Sequence, residues 1–223
     1  MKSLILKGLL YFFIFPAFAQ TPFELMVGNK QSSYINYTQK NLDSLGKLNF
    51  FNLNRFAIDH KHPELNNYSM EGQLSYNLNS WFGLSLGASF EGNLLMPSLG
   101  FSLSHINKKQ DFLLAAYPMV QLADQKSFNF SGFLVYVPKF NASWGLFSQL
   151  IFNSNLGLEK SEIQPKRNIM GIFTGHNYSI QFLRLGFNYN QTFQFGLGVD
   201  LFQFSKRLGT LANLGVFVRY EIR

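Results

Sequence analysis

The sequence contains no cysteine among its 223 residues. That excludes disulfides, thiolate metal ligands and a cysteine nucleophile. Charge is scarce too: Asp, Glu, Lys and Arg together make up 14% of the chain, well below the share usual in soluble domains. Beyond residue 19 no window approaches the roughly 18 consecutive apolar residues of a membrane-spanning helix. A Gly-rich phosphate loop and a Gly-x-Ser-x-Gly elbow are both missing. The formal charge of +7 is scattered along the chain, so there is no nucleic-acid footprint, and no cofactor is implied.

What is present in quantity is aromatic and small: 26 Phe, 10 Tyr and 18 Gly. These residues fall into a period of two. In 191–203, Phe193, Phe195, Leu197, Val199 and Leu201 alternate with Thr192, Gln194, Gly196, Gly198 and Asp200. In 210–223, Leu214, Val216, Val218, Tyr220 and Ile222 alternate with Asn213, Gly215, Phe217, Arg219 and Glu221. Successive side chains of a strand point to opposite faces, so each segment has one apolar face and one that, Phe217 apart, is small or polar.

The amino end reads as an export signal. Met1-Lys2-Ser3 is a basic head, Leu4 to Phe18 is a mostly apolar run, and Ala17-Phe18-Ala19 has the small-x-small form of a cleavage site before Gln20. Residues 1–19 are therefore expected to be a secretory signal peptide. The run is too short to span a bilayer, and Lys7 interrupts it.

An exported chain with sustained dyad alternation is expected to be all-β: a closed antiparallel transmembrane β-barrel in the bacterial outer membrane. Ten strands are predicted, at 47–58, 67–78, 81–91, 95–106, 111–122, 126–138, 143–153, 177–189, 191–203 and 210–222. Residues 47–223 then form the barrel, and 20–46 a periplasmic segment or extra strands. A twelve-strand alternative adds Phe23–Gln39 and Lys166–Gly175. The connections alternate between short and longer ones, the longest being Asp59–Asn66 and Ser154–His176, which places both chain ends in the periplasm. Tyr76, Trp81, Phe112, Trp144, Tyr189, Phe193 and Tyr220 gather at the proposed periplasmic ends, as an interfacial girdle would. The phase slip near Phe182-Leu183 predicts a β-bulge there, with Arg184 inward and glycines such as Gly196 and Gly215 making room for it.

The dyad repeats, the Asn79-Ser-Trp-Phe-Gly83 turn and the closing Gly215-Val-Phe-Val-Arg-Tyr-Glu-Ile222 resemble small bacterial outer-membrane β-barrel proteins, most of them uncharacterised. In that group the last strand usually ends on an aromatic residue, whereas this chain ends Ile222-Arg223. The resemblance implies an architecture, with the lipid bilayer and lipopolysaccharide as partners and a small solute or a protein as a further one.

Three sets of residues carry possible chemistry. Glu71, Glu91, Arg184, Asp200, Arg219 and Glu221 are placed on the inner face. There they either sort solutes at a constriction or pair with one another and fill the lumen. His176 and Ser179 are the candidate base and nucleophile of a lipid acyl hydrolase, since outer-membrane lipid hydrolases are of similar size and set a His and a Ser two apart on one strand. Here the two are three apart, on opposite faces of a regular strand. A local bulge would reconcile them, with Ser154 or Asn177 contributing. His60 and His62, beside Glu64, would share a face of an extended loop and are the candidate metal ligands. The functional expectation is a barrel without evident catalysis, acting as a narrow channel, an anchor or a docking surface. The alternatives are a lipid acyl hydrolase and a surface ligand receptor.

Overall fold

The computed structural model describes residues 21–63, 66–91, 94–122, 126–158, 175–204 and 210–222. The expected signal peptide lies outside them. Twelve antiparallel strands close into one barrel: β1 (Thr21–Gly28), β2 (Gln31–Asn41), β3 (Leu48–Asp59), β4 (Asn67–Asn77), β5 (Phe82–Glu91), β6 (Leu94–Ile106), β7 (Phe112–Gln121), β8 (Ser127–Tyr136), β9 (Trp144–Gly157), β10 (Gly175–Tyr189), β11 (Phe193–Phe204) and β12 (Thr210–Ile222). Each strand pairs with its sequence neighbours, and β1 pairs with β12, from Thr21↔Ile222 to Gly28↔Gly215. Closure leaves no unpaired sheet edge.

The expected count of ten is corrected to twelve. Both additional strands among the described residues lie before residue 42; of the expected Lys166–Gly175 strand, Gly175 is the first residue of β10 and 166–174 lie outside the described residues. β1 and β2 fall in the 20–46 segment named above as possible extra strands; their alternation is weaker because their inner faces are not uniformly polar. Met26 and Ile35 point inward and are buried, beside Glu24 and Ser33.

The hairpins at the end that carries both termini owe their tightness to Asn. Asn79 Oδ1 accepts from the amides of Trp81 and Phe82, and Asn141 Oδ1 from those of Ser143 and Trp144. These Asx turns set both tryptophans at one level. The β10–β11 connection is the three-residue loop 190–192, in which Asn190 and Gln191 both have positive φ (51° and 58°) and Thr192 N donates to Tyr189 O. Positive φ at both central positions is the handedness that matches the twist of the strands it joins.

The outer face leaves large apolar side chains uncovered: Leu86 is 61% exposed, Leu185 62% and Leu197 68%. Near the end with the termini the exposed aromatics include Tyr76, Trp81, Trp144, Tyr189 and Tyr220. Near the other end, Tyr34, Phe56 and Tyr68 form one registered outward row across β2, β3 and β4. Two aromatic bands flanking an aliphatic one is the outer surface of a transmembrane barrel.

The bulge foreseen at Phe182-Leu183 is not there. The β9–β10 register runs unbroken from Tyr178 to Tyr189 and shifts between His176 and Tyr178 instead. Phe182 lies on the inner face with Arg184 because this lumen accepts rings as well as polar groups: Phe51, Phe133, Phe147, Phe182, Phe202 and Phe217 are all buried.

Candidate functional site

Side chains from opposite walls meet inside the barrel. Tyr37 of β2 stacks on Phe133 of β8 with ring centroids 5.7 Å apart, Phe133 on Phe51 of β3 at 5.5 Å, and Phe51 on Tyr117 of β7 at 5.3 Å. β2 and β8 stand half-way round the ring from each other, so this stack crosses the lumen. From Tyr37 the chain of contacts continues to Arg219, whose guanidinium lies 5.0 Å from the Tyr37 ring and 5.1 Å from that of Phe147. Phe147 in turn packs on Phe217 at 5.7 Å. Phe147, Gly186, Gly196 and Phe217 occupy one registered row across β9 to β12, so the two rings close over a pair of glycines.

Charges tie the same level together. Arg184 Nε donates to Glu24 Oε1 at 2.6 Å, and Nη1 to Asp200 Oδ1 at 2.7 Å. Asp200 Oδ2 accepts from Ser33 Oγ at 3.3 Å. Arg219 Nη2 donates to Tyr37 Oη at 2.7 Å and to Glu221 Oε1 at 2.8 Å. Arg184 is 2% exposed and Asp200 0%. Charges this deep persist only when paired. The guanidinium of Arg184 fits because Gly198 faces it: a Cβ there would lie 3.1 Å from Nη1. Gly196 and Gly215, named above for that role, serve another purpose. A Cβ at Gly196 would sit 2.2 Å from Leu185 O, and one at Gly215 2.1 Å from Val27 O, so both permit close strand approach.

Towards the loop end the lumen widens into a cavity of about 50 Å³, room for a few waters. The stacked rings of Tyr37, Phe51, Phe133 and Tyr117 border it, and Arg55, Glu71, Asn129 and Asn153 line its sides. Glu71 accepts from Ser131 Oγ at 2.8 Å and from Gln73. The Arg55 guanidinium sits between the rings of Phe182 and Phe202, at 4.9 and 4.8 Å.

Arg184, Asp200, Arg219 and Glu221 thus belong to the closure, while Glu71 lies in the vestibule. The backbone of Glu91 pairs with Ser69 and Leu94, and its side chain lies outside the described residues. Glu24, Tyr37 and Arg55 were missed. Arg55 had a signal, since it alternates with the outward Phe56 and Ile58; Glu24 sits likewise between the outward Phe23 and Leu25.

His60 Nε2 lies 3.0 Å from Ser32 Oγ, and the His62 amide donates to Asp59 Oδ1. Among the described residues no three His, Cys, Asp or Glu side chains come together as metal ligands, and Glu64 is outside them.

His176 and Ser179 are on one face, not two. Asn177 is the extra residue of the bulge: His176 pairs with Leu156, Tyr178 with Asn155 and Ser179 with Ser154. The odd-numbered residues that follow on β10, Leu183, Leu185 and Phe187, are exposed on the outer wall, and Ser179 shares their phase. His176 Nε2 is 2.6 Å from Ser179 Oγ, which is 2.8 Å from Ser154 Oγ.

No known family profile matches the sequence, and no curated protein does. Solved structures do match. The NanC porin aligns with a TM-score of 0.51 at 8% identity, over 92% of this chain and all of that one. The likeness is one of fold. The KdgM porin (TM-score 0.42, 13% identity, 92% and 99% coverage) and an outer membrane channel from Pseudomonas putida (0.44, 8%, 92% and 94%) also align. The chain therefore has the fold of a small porin-like barrel.

Proposed function

We propose that the protein is an integral outer-membrane barrel that does not conduct at rest, and that presents a shallow vestibule and its loops to small solutes or partner proteins. The membrane part of this reading is supported by the aliphatic outer belt between two aromatic bands. Such a surface is unfavourable in water and matched to hydrocarbon with lipopolysaccharide and phospholipid headgroups at its edges. The observation that carries the rest is the Tyr37–Phe133 stack across the diameter, continued by Phe51, Tyr117 and Arg219. A strand number of twelve lies between the eight that side chains fill and the sixteen that leave a channel, so the inward residues decide, and here they are large and interlocked. Planar-bilayer recording of the refolded protein tests this. The expected trace is flat, and steady ohmic steps from the unaltered protein would refute the closed state.

A further inference from the structure

The outer wall has one sector that does not suit a lipid-facing surface. Phe130, Ser154, Ser179, Gln203 and Thr210 form a registered row across β8 to β12, at the end where β2 to β4 present Tyr34, Phe56 and Tyr68. Hydroxyls and an amide thus stand where the neighbouring sector is aromatic. Within this row Ser179 is in hydrogen-bond contact with both His176 and Ser154. Ser179 itself is buried, with the exposed His176 beside it.

We infer that His176, Ser179 and Ser154 form an acyl-ester hydrolase site that faces the bilayer and acts on fatty-acyl esters of membrane lipids. This rests on the reading of the outer wall as lipid-facing. A serine hydroxyl is a poor nucleophile unless a base within hydrogen-bond reach removes its proton, and 2.6 Å is within that reach. Ser179 Oγ attacks the ester carbonyl carbon as its proton passes to His176 Nε2. His176 then protonates the departing alkoxide as the C–O bond breaks, leaving an acyl-serine and a lyso-lipid. Water attacks the acyl-serine, giving up its proton to His176, and the serine is re-formed as the fatty acid leaves. Ser154, next to the nucleophile on the adjoining strand, is the nearby donor for the negative charge that develops on the carbonyl oxygen. The substrate class follows from position. A site on the outer wall is reached from the membrane and not through the closed lumen.

The bulge is the positioning device. Because Asn177 is the extra residue, His176 and Ser179, three apart in sequence, stand as residues two apart do on a regular strand and so share its face.

The test uses the refolded full chain in mixed micelles, with phosphatidylethanolamine in one arm and lipid A in the other. Free fatty acid is read by mass spectrometry, and Ser179 is probed with a fluorophosphonate followed by peptide mapping. The expected result is fatty-acid release that falls at least tenfold in Ser179→Ala and His176→Asn, less in Ser154→Ala, with the adduct on Ser179. The arm that releases fatty acid identifies the lipid. Circular dichroism and the gel shift of the unheated barrel confirm that each variant is folded. Absence of both release and adduct in the folded protein overturns the assignment, as does undiminished release from folded Ser179→Ala. Failure of the protein to float with liposomes would instead count against the membrane reading, independently of hydrolysis.

Discussion

The two walls of the lumen are built differently. The wall around the β1–β12 junction carries Glu24, Arg184, Asp200, Asn213, Arg219 and Glu221, and partners there are far apart in sequence: Glu24 and Arg184 by 160 residues, Ser33 and Asp200 by 167. The facing wall, β5 to β7, is lined by Ser85, Ser102 and Ala115 beside the buried Tyr117 and Met119, and has no charged inward side chain among the described residues. Every pairing in the facing wall follows from a local hairpin. Only the junction brings the two ends of the chain together, and closing so long a loop carries the largest entropic cost. Charged networks are concentrated where register has no turn to set it. The small side chains opposite leave space for the rings that seal the bore.

The sharpest test of this contrast is Arg184→Ala, which leaves Glu24 and Asp200 buried without their counter-ion. We expect a loss of about 3–5 kcal/mol, read by urea unfolding in detergent. Replacing the trio together by Glu24→Leu, Arg184→Met and Asp200→Leu should recover most of that loss, since apolar substitutes of similar size commonly match a buried ion set. If the triple variant stayed as weak as Arg184→Ala, the network would have a role beyond charge compensation. Second, Tyr37→Ala with Phe133→Ala removes the central rings and should turn a silent barrel into a conducting one, read as single-channel steps. Third, Gly196→Ala forces a methyl to within 2.2 Å of Leu185 O and should destabilise by about 1–3 kcal/mol. Gly72→Ala, whose Cβ would come no nearer than 3.8 Å to Asn52, should stay within about 0.5 kcal/mol. The facing wall should lose far less than the junction. Ser85→Ala breaks its 2.6 Å contact with Ser75 and should lose about 1 kcal/mol. A loss there as large as that of Arg184→Ala would erase the difference between the walls.

Much of this architecture is readable in the residues themselves. From Leu48 onward most outward positions are apolar and the turns carry Asn, so ten of the strands follow from period-two counting. The two strands before residue 42 do not, because Met26 and Ile35 place apolar groups on the inner face and blur the alternation. Phe182 misled for the same reason: an apolar residue out of phase suggested a bulge, when the lumen simply holds a ring there. The inward places of Glu71, Asp200, Arg219 and Glu221 follow from phase, but their partners do not. Nothing near Arg184 in the chain points to Glu24.

The amino-acid order by itself determined that this chain makes alternating strands with an oily side and turns between them, because side-chain direction in a strand is a local property of the backbone. Which residues oppose one another across the bore, and that His176 and Ser179 share a face, only the tertiary structure decided. The first depends on where the ring closes and the second on a one-residue shift against β9, and both are set by pairing between distant segments.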